Sequence, residues 1–336
     1  MRSTTEFAVA IVNYRTPEMT MKCLESIDSD RPLLPGMYVY VVDNNSGDNS
    51  FEEIKDCVHK RGWSDWVTVA AMQRNGGFSY GNNRAIKMAY RDRPQLKYVY
   101  LLNPDTLILD SGLYRLVSFM DKNPEVGIAG TGLIYPDGEK HHIARRFPTV
   151  LSEFEQGARL GVVSRFLNKH KIHMPQSDTP HECDWVSGAS MIIRDKVIDA
   201  IGLLDEQYFL YYEEVDYCYR AKKSNFQIWY YPKSTVVHIE GVATGINKQG
   251  RQKSYWFESR RRYLIKTLGV WGLVAVDVFW ALGRIGFYLR NIILYKTKYR
   301  KENGEPSLLF WDLLAGDFLY LVSFKAFRKK AELRRL

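Results

Sequence analysis

The chain has 336 residues, 46% of them hydrophobic and 25% charged, enough to bury a large α/β core and carry a second part, which excludes a disordered chain and a small stapled scaffold. Four cysteines (Cys23, Cys57, Cys183, Cys218) show no CxxC spacing and the seven histidines match no zinc pattern; this excludes a disulfide framework and a structural zinc site, and fits buried thiols in a reducing compartment. The net charge of +9 is uneven, because residues 248–336 hold 19 Lys and Arg against 7 Asp and Glu while residues 1–247 hold 28 against 31, so an anionic partner is expected at the tail.

The polar lead MRSTTE runs straight into the strand FAVAIV, leaving no room for the parts of a signal peptide. Asn13 follows that strand, and Met19, Cys23, Leu24 and Ile27 recur at helical spacing. A second strand, Tyr38 to Val42, ends in Asp43, Asn44, Asn45, Ser46, Gly47 and Asp48, ahead of a helix over Phe51 to Lys60. A third, Val67 to Met72, runs into Asn75, Gly76 and Gly77, with a helix from about Asn82 to Arg91. The fourth, Tyr98 to Leu102, is stopped by Asn103 and Pro104 and followed by Asp105. Four such units predict a right-handed, mostly parallel sheet with helices on both faces and polar loops massed at one edge, where ligands bind in such sheets. Neither GxGxxG nor GxxxxGK[ST] is present, which argues against a dinucleotide dehydrogenase or a P-loop enzyme.

Two readings stand for each carboxylate. Asp43 fits ribose or base recognition, or an Asx-turn closing its loop. Asp105 fits a divalent cation, or a helix cap. Residues 135–182 show no steady period. Asp184 to Ile193 then reads as an apolar strand or helix entry with small residues where a ligand approaches; Trp185 is either a sugar-stacking platform or a core residue. The densest acidic group follows, with Asp205, Glu206, Glu213, Glu214 and Asp216 interleaved with aromatics. Desolvation there would tune a carboxyl upwards, whereas a helix running to Lys223 would simply have its dipole complemented by Glu213, Glu214 and Asp216. Strands Phe226 to Tyr230 and Thr235 to His238 come next, and His238 leads into Glu240, Gly241 and Gly245.

The blocks VAIVNYRTPEMTMKCLESI, VVDNNSGDNS, NGGFSYGNNRAI, YLLNPDT, DWVSGASMIIR, FLYYEEVDYCYR and VVHIEGVATG together resemble family 2 glycosyltransferases of the GT-A fold, in particular the rhamnosyltransferase-like members that build bacterial surface polysaccharides. The resemblance spans residues 7 to 245. It implies a Rossmann-like catalytic domain over 1–247, an inverting transfer of a sugar from a nucleotide-sugar donor to a lipid-linked saccharide acceptor, and a divalent cation, Mg or Mn. Asp43 would bind the nucleoside beside Asn13, Asn44, Gly77 and Asn103; Asp105 and His238 would hold the metal; Glu214 would be the general base, with Glu213, Asp216 and Trp185 on the substrate side. The chain departs from the family pattern at Asn103, which stands at the first acidic position of the DxD motif, and at Glu214, which stands where an Asp is usual.

The tail, 248–336, is expected to be helical and amphipathic. Arg260, Arg261 and Arg262 sit beside Trp256, Phe257 and Tyr263. Asp277, Arg284 and Arg290 interrupt the apolar run 270–294, which argues against a spanning helix. Asp277, Arg284 and Asn291 share one face, as suits a helix in the headgroup plane, and Ser307 to Phe324 forms a second such stretch ending in Lys325, Arg328, Lys329 and Lys330. The expected partner is an anionic membrane at the cytoplasmic face and no nucleic acid, with an ordinary packed helical subdomain as the alternative. A sugar nucleotidyltransferase on a similar sheet would carry a glycine-rich basic loop near its N-terminus, and the chain has none; a non-catalytic membrane-bound assembly protein is the other alternative.

Overall fold

The computed structural model describes residues 3–239, 250–293, 306 and 308–333, for 324–333 the backbone only. Glu240, Gly241 and Gly245 lie outside the described residues. Two compact units emerge, Met1–Phe147 with His173–Ile246, and Pro148–Ile172 with Asn247–Leu336.

The first unit opens with β1 (Phe7–Asn13), α1 (Pro17–Asp28), β2 (Met37–Asp43), α2 (Ser50–Lys60), β3 (Val67–Ala71), α3 (Gly77–Asp92) and β4 (Tyr98–Leu102). These strands pair in parallel in the order β3-β2-β1-β4. β1, β2 and β4 are almost wholly buried, which is why they read as continuous apolar runs and not as alternating ones. Parallel neighbours need crossovers, and α1, α2 and α3 supply them. α3 starts at Gly77, earlier than the helical period suggests. Gly77 has φ +82°, a value that favours glycine, and the next N–H, of Phe78, donates to Phe209 O at 2.8 Å.

β5 (Thr106–Ile108), α4 (Gly112–Lys122) and β6 (Val126–Ile134) follow, then α5 (Val150–Ala158) and α6 (Gly161–Phe166) of the second unit, and then β7 (His181–Glu182), β8 (Ser190–Arg194), α7 (Asp195–Ile201), α8 (Glu213–Lys223) and β9 (Gln227–His238). These four strands are parallel as expected; beyond β4 the sheet becomes mixed. β8 runs antiparallel between β4 and β6, β9 runs parallel to β6, and β5 and β7 run antiparallel to β9. The reversal has a consequence for the site: the start of β8 meets the end of β4, with Leu102 opposite Ser190. The two strands expected over 226–238 are one, β9, whose pairing with β6 skips register between Thr131 and Gly132; Pro232, which has no N–H to give a ladder, sits at the skip.

The second unit holds α5, α6, α9 (Ser254–Ile293) and α10 (Leu309–Leu333). It includes Pro148–Ile172, a segment inside the span that the resemblance reads as one catalytic domain. α5 starts on a capping box between Thr149 and Ser152, a local signal hidden by the absence of a long period around it. The buried Arg260 of α9 explains the grouping: its guanidinium donates to Glu153 of α5 (3.1 Å), Asp277 of α9 (3.0 Å) and Asp317 of α10 (3.2 Å). α9 is kinked at Gly269, φ 74° and ψ 176°, so its second segment covers 270–293. Against expectation, α9 is long and apolar enough to cross a membrane by length and composition. The shared face of Asp277 and Arg284 is real but turned inward, since both are buried, whereas Trp271, Leu282, Ile285, Leu289 and Ile292 are exposed.

Candidate active site

Asn13 and Asp43 end β1 and β2 in register. Asn13 Nδ2 donates to Asp43 Oδ2 (2.7 Å), Ser46 Oγ donates to the same oxygen (2.5 Å), and Ser46 N donates to Asp43 Oδ1 (3.0 Å). Asn13 Oδ1 in turn accepts from the Thr16 and Thr20 hydroxyls at 3.1 and 2.9 Å. The loop bonds to Asp43 come from Ser46, three residues on, one past the reach of an Asx-turn; the carboxylate still folds its own loop and fastens it to β1. Asn44 Nδ2 donates to Asn75 Oδ1 and to Gly77 O, both at 3.0 Å, which ties the loops after β2 and β3 together. Four of the five residues expected at the nucleotide, Asn13, Asp43, Asn44 and Gly77, therefore share one polar edge.

Asn103, the fifth, lies just past β4. Its N–H donates to Ala189 O (2.9 Å) and its carbonyl accepts from Thr106 Oγ1 (2.7 Å). Antiparallel pairing of β5 with β9 sets Thr106 opposite His238, and this register brings His238 Nε2 to 3.4 Å from Asp105 Oδ1 and 3.4 Å from Asn103 Nδ2. The carboxylate and the imidazole sit close enough together to grip one ion; the carboxylate oxygen is a donor that Mg and Mn take, whereas the imidazole nitrogen disfavours Mg. No group of three His, Cys, Asp or Glu side chains with metal-holding geometry occurs among the described residues. The pair alone would leave most positions of a bound ion to other ligands or water.

Glu213 and Glu214 open α8. They follow two consecutive non-glycine residues with positive φ, Tyr211 at 70° and Tyr212 at 66°, a backbone arrangement that needs support from its surroundings. Upstream, Asn83 of α3 fixes Leu204, since its Nδ2 donates to Leu204 O (2.9 Å) and its Oδ1 accepts from Leu204 N (3.1 Å). Oε2 of Glu213 and Oε2 of Glu214 are both buried and have no hydrogen-bond partner among the described residues. Burial, then the neighbouring Glu214 carboxylate, pushes Glu213 well above the usual carboxyl range, and burial pushes Glu214 up as well. The helix start was expected to favour ionisation, but desolvation of a first-turn side chain outweighs a half charge at the N-terminus.

Two residues expected on the substrate side serve the scaffold in this structure. Asp216 has no exposed surface; its carboxylate accepts from Arg220 Nε (2.9 Å) and Tyr208 Oη (3.4 Å), and Arg220 goes on to Ile201 O (2.6 Å) and Leu203 O (2.9 Å). Trp185 is 6% exposed, with Nε1 given to Arg146 O (2.9 Å) and the Arg145 guanidinium carbon 4.7 Å over its ring. The core reading of Trp185 therefore matches its surroundings, which leave no open face for a sugar to stack on.

The segment Gly188–Ala189 joins the two halves of the site. A Cβ on Gly188 would lie 3.3 Å from the Phe78 ring and 3.5 Å from Glu214 Cβ, and Ala189 is the residue that receives Asn103 N–H. Phe78, Arg145 and His141 were not singled out as site residues from the sequence. The His141 ring stacks on Tyr135 at 3.6 Å and lies 5.8 Å from the His238 ring; the pair His141–His142 was the available signal, and zinc spacing was the wrong test for it.

The chain matches the family described as glycosyltransferase like family 2 over residues 5–262. It is 26% identical to the rhamnosyltransferase WbbL of Escherichia coli K12 over 68% of this chain and 82% of that one. It is also 26% identical to the N-acetylglucosaminyl-diphospho-decaprenol L-rhamnosyltransferase of Mycobacterium tuberculosis, over 44% of this chain and 48% of that one. Among solved structures, it resembles the mannosyltransferase of Pyrobaculum calidifontis in complex with GDP-Man and Mn2+, with TM-score 0.53 and 13% identity over 97% of this chain and 83% of that one, a likeness of fold.

Proposed function

The chain belongs to the glycosyltransferase like family 2 and is a glycosyltransferase of GT-A fold; from that premise we propose that it moves a sugar, with rhamnose the first candidate, from a nucleotide-diphosphate donor to a hydroxyl of a lipid-linked saccharide, inverting the anomeric carbon, in cell-surface polysaccharide synthesis. The rhamnosyltransferase relatives, one of them named for a diphospho-decaprenol acceptor, support the sugar and the lipid. The observation that carries the chemistry is the short segment Gly188–Ala189, with Glu214 packed against Gly188 and Asn103, two residues before Asp105, bonded to Ala189.

Asp105 and His238 would hold a divalent cation, Mg or Mn, which when bound neutralises charge on the leaving diphosphate, a Lewis-acid effect worth several kcal/mol. Glu214 takes the proton of the acceptor hydroxyl. The acceptor oxygen then bonds to the anomeric carbon as the sugar–phosphate bond breaks, its electron pair leaving with the diphosphate. The Asn13–Asp43–Ser46 network and the Asn44 bonds to Asn75 and Gly77 hold the nucleotide loops in place before the donor arrives, which lowers the ordering cost of binding. The second unit would rest on the cytoplasmic membrane surface. Residues 248–336 hold 19 Lys and Arg against 7 Asp and Glu, and exposed Trp271, Leu282, Ile292 and Trp311 offer apolar contact.

The test is donor hydrolysis and transfer with a panel of UDP-, GDP- and dTDP-sugars, dTDP-rhamnose among them, with and without Mn2+. Glu214→Gln should stay folded, bind donor and turn over about 10² to 10⁴ more slowly. A wild-type chain that binds and hydrolyses no member of the panel, with metal present, would sink the reading.

A further inference from the structure

Three guanidinium groups gather on one buried ring in the second unit. The guanidinium carbons of Arg159, Arg284 and Arg290 lie 5.9, 5.5 and 5.4 Å from the centre of the Phe287 ring, and that ring is buried. A ring face attracts a cation, but it does not cancel the repulsion among three like charges held around it. Among the described residues, Glu153, Asp277 and Asp317 serve Arg260, Glu155 accepts from the Ser164 hydroxyl, and neither Arg165 nor Arg290 forms an ion pair.

A cavity of about 550 Å³ opens at this cluster, lined by Leu160, Gly161, Val162, Arg165 and Arg290. None of the five is acidic. Arg290 Nη1 reaches Arg159 O at 3.5 Å and Nη2 reaches Asn291 Oδ1 at 3.3 Å, both long, while its Nε is buried without a hydrogen-bond partner among the described residues. Arg165 is exposed. The side chains that continue the lining are apolar and open to solvent: Val162 and Phe166 of α6 are 69% and 85% exposed, and Leu289 and Ile293, beside Arg290 on α9, are exposed as well. Cations at one end and uncovered apolar surface at the other suit an amphipathic anion.

We propose that this cavity takes the phosphate of an anionic membrane phospholipid, with Arg165 and Arg290 donating to its oxygens and the lipid chains lying over Val162, Phe166, Leu289 and Ile293. The proposal rests on the reading that the second unit lies on a membrane, and it gives that contact a discrete headgroup site, which the spread charge of the tail does not supply. A guanidinium fork matches phosphate oxygens in geometry and charge, and the volume is that of a small-ligand site. A free phosphate would satisfy the cations and leave the apolar side chains in water, so the lipid is the better match.

The experiment titrates the full chain with soluble dihexanoyl phosphatidylglycerol in a calorimeter. One lipid should bind per chain. Arg165→Gln combined with Arg290→Gln should weaken it at least about tenfold, the effect of one lost charge-assisted hydrogen bond. Lys253→Gln combined with Lys266→Gln removes the same charge from exposed positions of this unit and should leave the affinity unchanged. Gly161→Phe is a second variant: a Cβ at Gly161 meets nothing within 4 Å, so the ring can fill the cavity without disturbing the fold and should block the lipid. Inorganic phosphate should bind at least about tenfold more weakly than the lipid, for want of the apolar contact. The proposal is overturned if the lysine pair weakens binding as much as the arginine pair, if Gly161→Phe binds the lipid like the wild type, or if inorganic phosphate binds as tightly as the lipid. Should the arginine pair fail to fold, Gly161→Phe decides. Binding of the wild type to vesicles is read separately: no vesicle binding with the one-to-one site intact would sink the membrane reading alone, and vesicle binding by a chain that shows no discrete site would sink this proposal alone.

Discussion

His238, the last residue of β9, holds its Nε2 atom 3.4 Å from Oδ1 of Asp105, three residues past the end of β4. No group of three acidic, His or Cys side chains surrounds them among the described residues, so in the proposed mode these two would supply the protein's share of a cation's shell. Asp105→Ala should therefore remove Mn2+-dependent binding of a nucleoside diphosphate in titration calorimetry. His238→Ala should weaken it less severely. Metal-dependent binding that survives Asp105→Ala undiminished would dismiss the assignment.

The loop after β3 gives a test of stability. A Cβ on Gly77 would stand 2.1 Å from Phe209 O at φ +82°, whereas one on Gly62, φ +68°, would meet nothing within 4 Å. Gly62→Ala should cost only the strain of a left-handed residue, about 1–2 kcal/mol. Gly77→Ala adds a collision with a backbone carbonyl that cannot rotate away, so it belongs with the rare losses above about 4 kcal/mol. Equal losses in urea denaturation would mean that the Phe209 contact is not what requires glycine.

The strands ending at Asn13, Asp43 and Leu102 were legible because each is buried on both faces and stopped by polar residues, a pattern that needs no partner to be read. The loop that Asp43 folds was half legible, since an Asp with Ser three residues on carries its own acceptor and donor, but the bonds run to Ser46, one residue past an Asx-turn. What the sequence could not carry is pairing direction. Whether β8 enters parallel or antiparallel to β4 decides whether Gly188 meets Glu214, and nothing in SGASMIIR states it. Trp185 and Asp216 make scaffold contacts that the sequence did not show, because an aromatic or acidic residue looks the same in sequence whether its polar atom faces a ligand or a buried partner. The face bearing Asp277 and Arg284 was found, but its direction was not, because a polar stripe can face water or a buried ion-pair cluster.

Vesicle binding tests the second unit. At low salt the full chain should bind vesicles containing anionic lipid more tightly than neutral ones, and added salt should weaken this part, because counterions screen a surface charge within about 10 Å at 0.1 M. A salt-resistant remainder should persist and should fall in the double variant Trp271→Ser with Trp311→Ser, since both indoles are exposed and such side chains anchor interfacial helices. Equal binding to neutral and anionic vesicles at low salt would remove the electrostatic part of the argument.

The buried cluster around Arg260 yields the last prediction. One guanidinium serves Glu153, Asp277 and Asp317, and Arg261 adds a bond to Asp317 at 2.5 Å. Removing the hub strands Glu153 and Asp277 and leaves Asp317 to Arg261 alone, so Arg260→Met should cost about 3–5 kcal/mol, as breaking a buried pair does. Asp277 behaves differently. Burial first, then Asp317, pushes its carboxyl up to about 7 despite the attraction of Arg260. A value raised on folding means that the folded chain binds the proton more tightly than the unfolded one, so the stability it contributes is complete below the unfolded value of about 4 and is lost as the pH rises through 7. Asp277→Asn keeps the acceptor oxygen for Arg260 and cannot ionise. Its melting temperature relative to wild type should therefore climb from about pH 5 to about pH 8, by an amount that levels off once Asp277 is ionised in the wild type. A difference that stays flat across that range would show that Arg260 holds Asp277 ionised throughout and that it takes up no proton there.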